Sequence, residues 1–166
     1  MYKIDFNKPL HIHFIGIGGI SMSGLAHILR EKNFTISGSD SSESALTDEL
    51  TAAGCTIHYP QKAENITDDI DLVVYTAAIR EDNPELAAAK KAGIACITRA
   101  ELLGGIMNNY DVALNIAGTH GKTTTTSMVS EILLAANMDP TISVGGILNS
   151  IGGNTRVGGN MYFVAE

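Results

Sequence analysis

Short apolar runs alternate with longer stretches of helical periodicity over the first two thirds of the chain. Runs rich in β-branched and other apolar residues predict strands, and the stretches between them predict helices. Strands are expected at His11–Ile15, Thr35–Ser37, Thr56–His58, Leu72–Tyr75 and Ala95–Thr98, and helices at Ser21–Lys32, Ser44–Ala53, Pro84–Ala92 and Ala100–Asn108. This alternation indicates βαβ units, and therefore an α/β fold with a Rossmann-like, mainly parallel sheet.

A second α/β pattern begins after the polar stretch at residues 108–111. We expect a strand at Val112–Ala117, a helix from about Lys122 to Ala136 and a strand at Thr141–Val144. A Gly- and Asn-rich segment, Gly145–Asn160, follows without a predicted strand, and Met161–Glu166 reads as a last strand. The sequence therefore predicts a Rossmann-like domain over residues 1–110 and the beginning of a P-loop-type α/β ATPase domain over 111–166. Because a P-loop domain needs more strands, we expect an N-terminal piece of a longer protein.

The amino-acid composition is typical of a globular α/β protein. The chain has 166 residues, of which 45% are hydrophobic and 17% charged, as in globular proteins. Its 17 glycines and low aromatic content of 5% suit an α/β protein with tight turns. The formal charge of −7 argues against a nucleic-acid partner, because such proteins carry a basic face.

The two cysteines and the lack of targeting signals predict a cytoplasmic protein. Cys55 and Cys96 lie in apolar surroundings and are expected to be buried thiols in a reducing compartment. No signal peptide is evident at the N-terminus, and no apolar run approaches the ~18 residues of a membrane span.

The first glycine-rich loop follows the first predicted strand. Gly16 and Gly18 resemble the opening of a dinucleotide-binding fingerprint, but Ser21 stands at the position of its third glycine. Glycines at such a turn let the backbone and the next helix N-terminus approach a phosphate. Asp40, at the end of the second strand, is suitably placed to contact a ribose. The loop fits NAD or another nucleotide diphosphate, and glycines that only tighten the turn are the alternative.

The second glycine-rich loop ends like a Walker A loop. Gly118-Thr119-His120-Gly121-Lys122-Thr123 follows a predicted strand, although Ile116 stands where that motif has its first glycine. Backbone N–H groups of such a loop cradle phosphate, the lysine pairs with the β/γ-phosphates, and the hydroxyl binds Mg²⁺. The threonines from Thr123 to Thr126 could cap the helix that starts here. His120 is a catalytic candidate, and the alternative is a loop residue that packs beside the nucleotide.

Several ordered motifs resemble those of the Mur ligases, over the whole length of the chain. They are His13–Gly19 with Met22–Ala26, Gly38–Asp40, Thr76–Ile79 with Asn83–Glu85, Arg99–Leu103, Gly118–Thr124 and Tyr162–Glu166. The resemblance implies an ATP-dependent ligase of peptidoglycan biosynthesis. Such an enzyme would join L-alanine to UDP-N-acetylmuramate through an acyl phosphate.

The resemblance also implies roles for individual residues. Lys122 and His120 would be catalytic, Gly118–Thr124 would hold the ATP phosphates, and Thr123 and Glu166 would bind Mg²⁺. The UDP-sugar would be bound by Gly16, Gly18, Gly19, Ser21, Met22, Ser23, Asp40, Thr76, Ala77, Ala78 and Asn154. The L-alanine site is expected outside this chain, so the chain alone should bind a UDP-sugar without ligase activity.

Two other interpretations stay open at this point. One is a sensor module that binds NAD(H) or another nucleotide through the first loop and has no ligase activity. The other is a sibling ligase that attaches whole peptides to UDP-N-acetylmuramate. A preference for UDP compounds over NAD(H) would separate the ligase domain from the sensor.

Overall fold

The computed structural model describes residues 2–166. They divide into two compact units, the first ending at Gly105 and the second beginning at Ile106. Among these residues, no helix is both long enough and apolar enough to cross a membrane.

The first unit is a five-stranded parallel sheet with helices between its strands. Its strands are β1 (His11–Ile15), β2 (Thr35–Ser39), β3 (Thr56–His58), β4 (Leu72–Tyr75) and β5 (Ala95–Thr98), in the spatial order β3-β2-β1-β4-β5. Its helices are α1 (Ile20–Glu31), α2 (Ala45–Ala52) and α3 (Pro84–Ala92), with a 3₁₀ turn at Ala63–Asn65. A fourth helix, α4 (Arg99–Met107), begins in this unit and ends in the second. The predicted α/β fold with a parallel Rossmann-like sheet is confirmed.

Local sequence explains where the helices of this unit begin and end. Ser44 and Thr47 form a reciprocal capping box at the start of α2. Asn83 caps α3 by accepting hydrogen bonds from two backbone N–H groups, and Pro84 occupies the first turn, where its missing N–H costs nothing. Gly93 ends α3 in the left-handed conformation that glycine adopts without strain.

The core of the first unit lies on both faces of β1 and β4. Phe14 and Val74 are fully buried, as expected for central strands that helices cover on both sides. Ile15 packs with Val73 and with Leu86 of α3 in one cluster. This packing fixes the strand ends from which the first glycine-rich loop leaves.

The second unit is a smaller mixed sheet with one long helix. Its elements are β6 (Val112–Asn115), α5 (Lys122–Ala135), β7 (Thr141–Leu148), β8 (Gly153–Arg156) and β9 (Tyr162–Ala165). The spatial order is β6-β9-β7-β8; β9 is parallel to both of its neighbours, and β8 is antiparallel to β7.

The apolar pattern predicts no strand at the position of β8 and ends β2 and β7 earlier than the structure does. It placed Gly145–Asn160 outside any strand, whereas β7 extends to Leu148 and β8 lies at Gly153–Arg156. The reason is that glycine and polar residues give no apolar alternation. The antiparallel pairing of β8 with β7 and the hydrogen bond from Arg156 to the Pro140 carbonyl oxygen (2.6 Å) are tertiary interactions that a local pattern does not reveal.

Candidate functional site

The register of the first sheet brings three loops to one edge. Ile15, the last residue of β1, pairs with Ser39 on one side and with Tyr75 on the other. The segments that begin at Gly16, Asp40 and Thr76 therefore start at the same carboxyl edge. The strand order reverses here, which is where α/β sheets bind their ligands.

The first glycine-rich loop is fastened to the end of β2. Gly16 has a φ of +82°, a left-handed conformation that favours glycine, and its N–H donates to the Ser39 carbonyl oxygen at 2.8 Å. The Ile17 N–H donates to the same oxygen at 3.0 Å. Gly18 donates its N–H to Asp40 Oδ2 at 2.8 Å. Two consecutive residues of one strand end thus hold three consecutive residues of the loop.

Asp40 therefore has a partner that the sequence did not predict. Its Oδ2 accepts from Gly18, and its Oδ1 accepts from the Ser41 N–H at 2.7 Å. In this conformation the Gly18 N–H is engaged by a carboxylate. A diphosphate would have to share or displace this contact, because both ligands are anions.

The residues at the start of α1 that were predicted to bind the UDP-sugar differ in their solvent exposure. Gly19 is exposed and Ser21 is half-buried. Met22 is 1% exposed, and the Ser23 hydroxyl donates to the Ile20 carbonyl oxygen at 3.1 Å. Met22 can therefore approach a ligand only through its backbone N–H, which lies in the first turn of the helix and suits an anion. The Ser23 N–H already donates to the Gly19 carbonyl oxygen at 2.8 Å.

The remaining predicted UDP-sugar residues lie in two places. Thr76 is half-buried, Ala77 and Ala78 are exposed, and Thr76 Oγ1 accepts a hydrogen bond of 3.3 Å from the Ala78 N–H. These three residues follow β4 at the edge described above. Asn154 lies on β8 of the second unit.

The second glycine-rich loop joins β6 to α5. Gly121 has a φ of +77° and is the residue that precedes the helix, with no side-chain hydrogen bond capping the helix start. The prediction that Thr123–Thr126 cap this helix is therefore wrong. Lys122 Nζ donates to the Gly118 carbonyl oxygen at 2.7 Å, so the ammonium group lies across the loop itself.

The start of α5 meets the end of β9 and a glycine pair of β7. Thr123 Oγ1 donates to Glu166 Oε2 at 3.2 Å, and the Gly145 N–H donates to Glu166 Oε1 at 2.5 Å. A side chain at Gly145 would bring its Cβ within 2.7 Å of Glu166 Oε1. At Gly146, a Cβ would lie 3.2 Å from Thr123 Cγ2. The two glycines make room for both predicted Mg²⁺ ligands.

These oxygen atoms suit Mg²⁺ better than a softer metal. Mg²⁺ uses one or two protein oxygens and completes its octahedron with waters and substrate phosphates. Within residues 2–166, no cluster of three or more His, Cys, Asp or Glu side chains could hold a metal ion. The donor set therefore fits a cation that arrives with a phosphate ligand.

The other residues of this loop are open to solvent. Thr119, His120 and Thr124 are all exposed, as is Gly118. The structure leaves both interpretations of His120, catalytic group or packing residue, as predictions.

The burial of the Glu85 carboxylate, behind the first loop, was not predicted from the sequence. Glu85, in the first turn of α3, is fully buried. Ser39 Oγ donates to its Oε2 at 2.5 Å, and Asn65 Nδ2 donates to its Oε1 at 2.6 Å. A glutamate beside a helix-starting proline is typically a solvent-exposed residue that complements the helix dipole, so sequence gave no signal of its burial.

The charge of Glu85 is stabilised despite its burial. Burial alone would raise the pKa of Glu85, but the neighbouring His13 ring and hydrogen bonds from Ser39 and Asn65 outweigh it and hold the pKa below the ordinary value. His13 Nε2 lies 3.7 Å from Glu85 Oε1, beyond hydrogen-bond distance, and His13 Nδ1 contacts Ser37 Oγ at 2.9 Å.

Comparison with known proteins identifies what this arrangement resembles. The family model described as "Mur ligase family, catalytic domain" matches residues 11–111. The UDP-N-acetylmuramate–L-alanine ligase of Lachnospira eligens is 77% identical over 166 residues, which is 100% of the chain and 36% of that protein. The chain thus spans little more than a third of the length of this curated relative.

Solved structures agree with the sequence comparison. The UDP-N-acetylmuramate-alanine ligase MurC of Thermotoga maritima has a TM-score of 0.87 and 36% identity, over 95% of this chain and 36% of that one. A UDP-N-acetylmuramate:L-alanyl-γ-D-glutamyl-meso-diaminopimelate ligase from Neisseria meningitides has a TM-score of 0.86 and 30% identity, over 96% of this chain and 52% of that one.

Proposed function

Since the chain belongs to the Mur ligase family, we propose that it supplies the UDP-sugar site and part of the ATP site of a ligase that joins L-alanine to UDP-N-acetylmuramate. In this proposal residues 1–110 form the UDP-sugar-binding domain, and residues 111–166 are the start of the central ATP-binding domain. Free thiols at Cys55 and Cys96 agree with the cytoplasmic location that we include in the proposal.

The first unit would bind the UDP-sugar at the carboxyl edge of its sheet. Gly16, Gly18 and Gly19 would face the diphosphate, with Ser21, Met22 and Ser23 at the start of α1 contributing the positive end of the helix. Asp40 and the segment Thr76–Ala78 would line the nucleoside pocket, and Asn154 would approach the muramoyl group. The convergence of the segments that begin at Gly16, Asp40 and Thr76 at one strand-order reversal supports the assignment of these segments. Asn154, on β8 of the second unit, is assigned from the resemblance alone.

The second unit would hold the ATP phosphates and Mg²⁺. Gly118–Thr124 provide backbone N–H groups, and Lys122 would leave the Gly118 carbonyl to pair with the β/γ-phosphates. Thr123 and Glu166 would bind Mg²⁺, while His120 would contact the reacting phosphate or pack beside the nucleotide. The observation that carries the ATPase assignment is the meeting of Thr123 and Glu166 beside the loop.

The chemistry in this proposal is amide formation by way of an acyl phosphate. ATP would transfer its terminal phosphoryl group to the substrate carboxylate with release of ADP. The amine of L-alanine would then attack the carbonyl carbon of the acyl phosphate and displace inorganic phosphate. The residues of this chain act by binding and orienting: Lys122 neutralises phosphate charge, and the loop N–H groups fix the phosphates.

The identity of the amine rests on the curated relatives. Two relatives that are 77% and 72% identical to the chain are named for L-alanine. The Neisseria ligase named for a tripeptide is 30% identical, although its fold matches equally well. The higher identity favours L-alanine over a peptide.

The test uses a ligase of the relatives' full length that carries this chain. Phosphate release from ATP should require UDP-N-acetylmuramate and L-alanine together, and replacing L-alanine with a peptide of the murein type should leave background release only. Turnover with the peptide but not with L-alanine would instead support the sibling activity. Absence of turnover with either amine would contradict the ligase proposal.

A further inference from the structure

Two separate segments of the first unit donate hydrogen bonds to the buried carboxylate of Glu85. Ser39 at the end of β2 donates to Oε2, and Asn65 of the 3₁₀ turn donates to Oε1. The Glu85 backbone N–H itself is bound by the Asn83 side chain at 3.0 Å, which fixes the residue at the start of α3. One side chain therefore ties β2, the turn at Ala63–Asn65 and α3 together.

The same Ser39 is the anchor of the first glycine-rich loop. Its hydroxyl binds Glu85, while its carbonyl oxygen accepts the N–H groups of both Gly16 and Ile17. The next residue, Asp40, accepts from Gly18. The hydrogen-bonded path from the Glu85 carboxylate to Gly16 and Ile17 therefore runs through Ser39.

Burying the Glu85 carboxylate costs desolvation free energy. An apolar side chain of similar size would avoid the desolvation of a charge, and buried ionic groups frequently add nothing to stability compared with such residues. Hydrogen bonds to a carboxylate are, however, short and directional, and they fix the orientation of the donors. This arrangement orients Ser39, which an apolar residue could not do.

We propose that Glu85 is a positioning residue for nucleotide binding: its hydrogen bond to Ser39 holds the Gly16–Gly18 loop in the conformation that receives the diphosphate of a UDP-sugar. His13 faces Glu85 from β1, Ser39 from β2 and the half-buried Asn65 from the 3₁₀ turn. The inference rests on the proposed function for the identity of the ligand, but the coupling between Glu85 and the loop does not depend on it.

Amide hydrogen exchange of the 166-residue chain measures the coupling directly. The Gly16 and Ile17 N–H groups are protected by the Ser39 carbonyl, so their exchange reports local opening of the loop. Ser39→Ala removes the hydroxyl and keeps the carbonyl, and Glu85→Leu removes the carboxylate. Each should raise the exchange rates of these two amides about tenfold, and weaken binding of UDP-N-acetylmuramate by a similar factor.

Two comparison variants separate positioning from general stability. Glu85→Gln retains an oxygen that can accept from Asn65 and an amide that can bind the Ser39 hydroxyl, so it should restore most of the protection and affinity. Leu29→Ala creates a cavity near the end of α1, far along the helix from the loop. It should lower the melting temperature without a selective change at Gly16 and Ile17.

The possible results distinguish the positioning role of Glu85 from the assignment of the UDP-sugar as ligand. Unchanged exchange and unchanged affinity in folded Ser39→Ala would overturn the positioning role, as would a Leu29→Ala variant with the same selective loss. If Glu85→Leu does not fold, Ser39→Ala and Glu85→Gln still decide the matter. Failure of the wild-type chain to bind UDP-N-acetylmuramate would refute the ligand assignment, while the exchange experiment would still test the coupling.

Discussion

Thr123 and Glu166 are joined by a hydrogen bond of 3.2 Å from Thr123 Oγ1 to Glu166 Oε2. The pair connects the first turn of α5 with the residue that follows β9. Because Gly145 donates its N–H to the other carboxylate oxygen, the Glu166 side chain is held at both oxygens. Two hard oxygen donors therefore lie together beside the Gly118–Thr124 loop, which we propose to bind phosphate.

Gly145→Ala should disrupt this pair. The new Cβ would lie 2.7 Å from Glu166 Oε1, closer than van der Waals contact allows, so the carboxylate would have to move. In a full-length ligase that carries the chain, we expect about a tenfold or greater loss of affinity for Mg²⁺·ATP. Gly153→Ala is the matched control, since a Cβ at that position meets nothing within 4 Å. Equal Mg²⁺·ATP affinity in both variants would show that Glu166 does not act at the metal.

Lys122→Met should remove the charge that we propose pairs with the ATP phosphates. Methionine retains much of the length and apolar volume of the lysine stem but has no ammonium group. In the full-length enzyme we expect turnover to fall by about a hundredfold or more, because transition-state charge loses its partner. Binding of UDP-N-acetylmuramate should stay unchanged. Lys91→Met, at an exposed position of α3, controls for loss of a positive charge. Turnover near that of the control would contradict the role of Lys122.

Gly18→Ala should destabilise the first unit by a clash with Asp40. A Cβ at Gly18 would lie 2.9 Å from Asp40 Oδ2 and 3.2 Å from Thr47 Cγ2. Overpacking of this kind costs about 1–3 kcal/mol in the free energy of unfolding. The same substitution in an Asp40→Ala background should cost less, because the nearest clashing atoms are gone. A urea-unfolding double-mutant cycle without coupling between the two positions would refute this account of the glycine.

The lowered pKa of Glu85 predicts an acid-sensitive contribution to stability. A carboxyl whose folded-state pKa lies below its ordinary value of 4.5 stabilises the folded state fully above that value. This contribution is lost as the pH falls through the lower folded-state pKa. Asp5, Asp69 and Glu101 also have lowered pKa values, so wild type alone does not isolate Glu85.

The contribution of Glu85 is isolated by the difference in unfolding free energy between wild type and Glu85→Gln. The difference should be constant near neutral pH and shrink as the pH falls below 4.5 toward the folded-state pKa of Glu85. Parallel acid-stability curves for the two proteins would mean that Glu85 is not ionised in the folded state.

Much of the first unit was predictable because its signals are local. The strand His11–Ile15 and the helix Pro84–Ala92 have the bounds that apolar runs, a helix-starting proline and a helix-ending glycine predict. The left-handed conformation of Gly16 and of Gly121 likewise follows from the need to turn sharply between a strand and a helix.

The parts that sequence did not predict depend on contacts between distant segments. Gly153–Arg156 becomes a strand only because β7 is available for pairing. The bond between Gly18 and Asp40 depends on the register of β1 with β2, and the burial of Glu85 depends on how α3 packs against Ser39 and Asn65. Such tertiary contacts cannot be predicted from local sequence patterns.

Isothermal titration of the 166-residue chain with UDP-N-acetylmuramate, against NAD as the competing ligand, tests the central claim most directly. The account predicts saturable binding of UDP-N-acetylmuramate, weaker binding of UDP and none of NAD. Binding of NAD in preference to both UDP compounds would contradict it, and would instead support a nucleotide sensor built on the Gly16–Gly18 loop.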